Sequence, residues 1–189
     1  MHYGDWIHLL AACATMILLV VAGISDIRRY RIPNTLVYAV VIAFAIGAVF
    51  GMSWTAIGWA VLAGVGMFAL NAGLFALGLF GGGDVKLIAA MALWTGPFDL
   101  LRFLLVMTVS GGLLGVVWLV RRRLNRPAVA RGTAVPAEGP DAGAPASDEP
   151  PASKIPNRIP YGVAIAIAGF DFFITSAQSP LAPLWHWLQ

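Results

Sequence analysis

Long apolar runs separated by short polar breaks dominate this chain. Runs at residues 6–24, 35–50, 55–80, 100–120 and 160–176 have about the length of a helix that crosses a hydrocarbon core, roughly 20 residues. A shorter run spans residues 85 to 95. Reversals are expected at residues 51–53 and in "TGPFD" at 95–99, where glycine, proline and small polar residues interrupt the apolar pattern. The pattern predicts an all-α polytopic membrane protein with six transmembrane helices. The short fourth segment supplies only about 16 Å of helix. A re-entrant segment there would invert everything after it, so a true crossing is expected, beginning below the membrane surface.

Charge then orients the helices. Of the 12 Lys and Arg residues, all but Arg102 fall in breaks that share one side if six segments cross: Arg28, Arg29 and Arg31, then Lys86, then the cluster from Arg121 to Arg158. The positive-inside rule makes that side cytoplasmic and puts the amino terminus outside. Arg102 is expected to snorkel at the opposite interface, three residues from Asp99. No Lys or Arg precedes the first run, so it reads as a retained span rather than a cleaved signal.

Composition agrees. With 59% hydrophobic residues and a mean hydropathy of +0.81, the chain has more apolar side chain than a soluble 20.0 kDa globule could bury. The net charge of +3 comes from cations flanking apolar runs, so the lipid bilayer is the expected partner and nucleic acid is not. A single cysteine, Cys13, rules out a disulfide within the chain and any cysteine-built metal site. Neither metal nor cofactor is expected.

Residues 127–153 are rich in Pro, Ala and Gly and poor in large apolar side chains, the composition of a disordered cytoplasmic linker. The expected organisation is therefore a membrane core over 1–126, the linker, and a last helix with its tail over 154–189. "RIPN" (31–34) and "KIPN" (154–157) echo one another, and both read as helix starts, with Asn as cap and Pro fixing φ.

Of the nine acidic residues, Asp5 and Asp99 fall in expected outside turns and four more lie in the linker, leaving Asp26, Asp84 and Asp171 at the membrane. A carboxylate in hydrocarbon is costly unless protonated, paired or hydrated, so each is a functional candidate. The topology puts Asp26, at the end of the first span, and Asp84, at the start of the fourth, on one face at similar height. Two carboxyls brought together hold one proton between them and titrate as a unit. One member can then take a proton from water while the other donates to a scissile carbonyl, which is peptide hydrolysis without a metal or a side-chain nucleophile. In "GGGDVKL" (81–87) the glycines before Asp84 would let a substrate backbone approach; a glycine run alone would favour a flexible hinge, but one that ends in an aspartate at membrane depth favours the substrate reading. Lys86 could tune the pair, but binding lipid phosphate or serving the interface is preferred. Asp171 is too deep to join the pair, and a partner such as Asn71, or a polar groove, is expected for it.

These residues also carry a resemblance. "DIRRYRIPN" (26–34) followed by "GGGDVKL" resembles the two signatures of type IV prepilin peptidases, membrane aspartyl proteases with a Gly-x-Gly-Asp motif. Asp26, Arg28, Ile32, Pro33 and Asn34 match the first signature, and Gly81, Gly83, Asp84 and Lys86 the second. Pro160, Tyr161 and Gly162, in "IPYGVAIA", look like the opening of that family's last helix. The resemblance implies six helices and a catalytic pair of Asp26 and Asp84, with the other matched residues supporting the site or binding substrate. It also implies a bacterial inner-membrane location and cleavage at the cytoplasmic face of a prepilin or pseudopilin, serving pilus assembly machinery. Longer members carry a zinc-binding Cys-x-x-Cys domain that methylates the product. One cysteine cannot build it, so the chain looks like the short, peptidase-only form associated with Flp (tight adherence) pili. Two other readings remain: a transporter or channel subunit with a carboxylate proton relay, and an inactive scaffold for pilus assembly.

Overall fold

In lipid, backbone polar groups must be satisfied within the protein, which restricts an apolar chain of this kind to helices. The computed structural model describes residues 3–29, 31–77, 81–124, 161–176 and 179–181, and within them every regular element is helical: α1 (Tyr3–Arg29), α2 (Asn34–Gly51), α3 (Trp54–Ala76), α4 (Gly82–Leu124) and α5 (Tyr161–Thr175). Four of these, α1 to α4, are long and apolar enough to cross a membrane. α5 is apolar but has 15 residues, about 22 Å of helix. The expected linker at 127–153 and Pro160 lie outside the described residues.

Local sequence explains the helix ends. Ser53 caps α3, its hydroxyl accepting from the Ala56 N–H at 3.3 Å. α2 begins differently from expectation. Pro33, not Asn34, occupies the cap position with φ −62°, and no side chain caps the helix. Asn34 is the first helical residue and its side chain accepts from Lys86 instead. Asp5 is likewise not in a turn but in the first turn of α1.

α4 is two helices joined at Gly96, whose φ of 57° and ψ of −173° are non-helical, with Pro97 next. Nothing lies within 4 Å of a Cβ built at Gly96, so conformation rather than space demands glycine there. The contacts on either side show the chain doubling back. Trp94 packs on Phe173 of α5, Asp99 accepts from Ser176 just beyond α5, Arg102 pairs with Asp171, and Gly111 faces Tyr161 and Ala164. Residues 97–124 thus run antiparallel to α5, while residues 82–95 run parallel to it. The short segment expected near 85–95 is this first half of α4.

That half is the centre of the bundle. Leu87, Ile88, Ala90, Met91 and Ala92 are buried, with α1, α2, α3 and α5 around them. Trp94 ties four helices together, stacking on His8 (ring centroids 5.8 Å apart) and meeting Phe44 and Phe173 edge to face at 5.6 and 5.3 Å. Such pairs contribute about 0.5–1.5 kcal/mol each beyond area burial. Lipid offers no hydrophobic drive between helices, so small residues allow the close approach. A Cβ at Gly64 would lie 2.5 Å from Leu93 Cδ2, and one at Gly169 2.5 Å from Leu19 Cδ1.

The structure corrects the expected surroundings of Asp171. Its partner is Arg102, at 3.1 Å from Nε and 3.4 Å from Nη2, whereas Asn71 turns back to the Met67 carbonyl of its own helix. Counted from Thr175, Asp171 is only four residues from the far end of α5, about 6 Å along it. Arg102, expected near Asp99, reaches across to this second helix.

Replacing either Arg102 or Asp171 by Leu should destabilise the chain by about 2 kcal/mol, because the remaining charge loses its partner. The double variant should recover most of that loss in thermal unfolding in detergent. A double variant no more stable than the weaker single one would remove the pair from the account of how α5 is held.

Candidate active site

Asp26 lies three residues before the end of α1, and Asp84 in the first turn of α4. Because α1 and residues 82–95 run antiparallel, these two positions come to one end of the bundle. Both line a cleft of about 580 Å³, together with Arg29, Arg31, Ile32, Pro33, Asn34 and the three glycines 81–83.

Asp26 is 6% exposed and is held by a single strong contact: its Oδ2 accepts from the Gly162 backbone N–H at 2.6 Å. Gly162 is the second residue of α5, where N–H groups have no partner inside the helix. The helix end supplies a donor and a favourable dipole to a carboxylate. Among the described residues no hydrogen bond to Oδ1 accompanies this contact, so one oxygen anchors the side chain. The approach requires glycine at 162. A Cβ there would lie 2.9 Å from both Asp26 Cβ and Asp26 Oδ2.

Glycines set the other half of the cleft in the same way. A Cβ at Gly81 would stand 2.8 Å from Asp84 Oδ2, and one at Gly83 would stand 3.1 Å from Ile32 Cβ and 3.3 Å from Ile32 O. Gly83 lets the start of α4 close on the 31–33 loop, and Gly81 leaves room for the Asp84 carboxyl. That loop is tied down from the α1 side by Ser25, whose hydroxyl donates to the Arg31 carbonyl at 3.0 Å. From the α2 side, Lys86 Nζ donates to Asn34 Oδ1 at 3.1 Å.

Of the residues singled out in the sequence, Asp26, Asp84, Gly81, Gly83, Pro33 and Asn34 share the cleft. Gly162 touches Asp26 directly, and Tyr161 packs against Gly111 at the opening of α5. Lys86 reaches the site only through Asn34, a contact that neither lipid nor interface duty anticipated. Arg28 is exposed and outside the cleft, whereas Arg29 and Arg31, absent from the candidate set, line it. Helical spacing holds the signal that was missed: Arg29 is three residues from Asp26 and so shares its face, while Arg28 does not. The cleft that holds the two carboxyls is therefore bordered by two arginines as well.

The fold and the cleft define a polytopic helical membrane protein in which two carboxyls line a glycine-bordered cleft. A family model described as the type IV leader peptidase family matches residues 13–116, more than half the chain. The chain belongs to that family, and membership implies an aspartic peptidase activity. No curated protein and no solved structure matches it. The matched stretch holds both Asp26 and Asp84 but ends before Gly162, the residue that anchors Asp26.

Alanine at 162 should lower peptidase activity by roughly 10²-fold, the scale of a misplaced reacting group. Alanine at Gly112, with nothing within 4 Å of its Cβ, should leave activity unchanged. Cleavage assays on equal amounts of membrane-inserted protein check this, and equal activity of the two variants would refute the tight fit at 162.

Proposed function

We propose that this chain is a prepilin leader peptidase in which Asp26 and Asp84 are the catalytic pair. The observation that carries the reading is the cleft shared by the two carboxyls, in a member of a leader peptidase family. Asp26 and Asp84 hold one proton between them. The ionised member takes a proton from the attacking water as the protonated member donates to the scissile carbonyl oxygen. The tetrahedral intermediate then collapses as the leaving amine takes up a proton. The Gly162 N–H keeps Asp26 oriented throughout, and Gly81 and Gly83 leave room for an extended substrate backbone.

The cleft opens at the end of the bundle that carries Arg29 and Arg31, and the positive-inside rule makes that the cytoplasmic face of the inner membrane, with the amino terminus outside. The substrate is a prepilin or pseudopilin of the Flp type, cut after its short leader and just before its apolar helix. With one cysteine the chain has no zinc-binding methyltransferase domain and leaves the new amino terminus unmethylated. A proton relay is disfavoured by α5, which carries only apolar side chains between Gly162 and Asp171.

Co-expression with a candidate prepilin should give a mass loss equal to the leader. Asp26→Asn and Asp84→Asn should each slow processing by about 10²–10⁴-fold while inserting normally. Full processing by either variant would eliminate the carboxyl pair from the mechanism, and normal processing with altered pilus assembly would point to the scaffold reading.

A further inference from the structure

A second groove lies on the side of the bundle formed by α2, α3 and α4, outside the catalytic cleft. α2 and α3 are joined by the short turn at Met52 and Ser53, yet beyond it each packs on α4 rather than on the other. Between them lies a groove of about 450 Å³ with Val41 on one wall, Val65 and Phe68 on the other, and Ala89 and Ala90 in its floor. Lys86 is the one charged side chain lining it. The catalytic cleft and this groove share no lining residue.

Two features select an occupant. Lys86 Nζ is held by the neutral Asn34 Oδ1, and among the described residues no carboxylate lies within ion-pair distance of it, so its charge is uncompensated at one end of an apolar slot. A charge at one end and hydrocarbon along the rest match an amphiphile with an anionic head. From Lys86 to Leu93 the floor is about 10 Å long, and apart from Lys86 and Tyr38 its lining is apolar, so a single acyl chain can lie along it beneath a head held at Lys86.

We propose that this groove binds one phospholipid with an anionic headgroup, its phosphate on Lys86 and one acyl chain lying over Ala89 and Ala90. The groove and the peptidase cleft have different lining residues and are linked through the Lys86–Asn34 hydrogen bond.

The test uses the full-length chain in nanodiscs of equal phosphatidylglycerol and phosphatidylcholine, with retained lipid read by native mass spectrometry. The native chain should retain one phosphatidylglycerol with roughly fivefold preference, the effect of one basic residue at a membrane surface. Lys86→Arg should keep that preference and Lys86→Gln should bring it to parity. Val65→Trp should reduce retention of both lipids by filling the groove from an exposed position, where it leaves the core untouched. A photo-reactive benzoylphenylalanine in place of Tyr38, in an otherwise native chain, should label phosphatidylglycerol over phosphatidylcholine, a readout that does not depend on the folding of a Lys86 variant. Equal retention of the two lipids by the native chain, an unchanged preference in Lys86→Gln, or equal labelling from position 38 would each overturn the proposal and leave ordinary annular lipid.

Discussion

A carboxylate at the end of a membrane helix needs a donor, and for Asp26 that donor is a backbone N–H 136 residues away in sequence. The Gly162 contact sets how α5 lies against α1, since its N–H can come within 2.6 Å of Asp26 Oδ2 only because residue 162 has no side chain. Further along the same seam, Gly169 receives Leu19 and the Arg102–Asp171 pair fixes the far end of α5. The position of one carboxyl oxygen and the packing of the last helix are therefore one constraint. Loosening either would move the other.

Much of this was legible in the sequence, for physical reasons that can be named. Helical segments follow from apolar length, and the reversal near residue 96 follows from glycine and proline placed together. The meeting of Asp26 and Asp84 at one end follows from counting crossings. Partners across helices were not legible. Asp171 pairs with Arg102 rather than Asn71 because the chain doubles back at Gly96 and brings residue 102 beside α5, a rotation about helix axes that spacing along one strand of sequence does not encode. The choice of Arg29 over Arg28 as a cleft residue was within reach, since it needs only the helical period applied from Asp26. Asn34 was read as a cap from its residue type, but the Pro33 backbone occupies that position and frees the amide for Lys86.

The bundle also shows how a short helix can serve a membrane protein. Residues 82–95 and α5 are each too short to cover about 30 Å of hydrocarbon alone. The first of them is shielded by longer neighbours, and its charged first turn opens into the cleft rather than into lipid. A polar group can then sit below the level of the surrounding helix ends without facing acyl chains. Trp94 closes the opposite end of that helix with aromatic contacts to α1, α2 and α5. A cleft-lining carboxyl at one end and aromatic packing at the other divide the segment between them.

Gly162 also has a consequence in time. The ribosome delivers α5 after α1 to α4, so Asp26 and Asp84 are both made before the group that anchors Asp26. A nascent chain halted before residue 161 would possess both carboxyls and lack the donor, so Asp26 stays unanchored until α5 has been made and inserted.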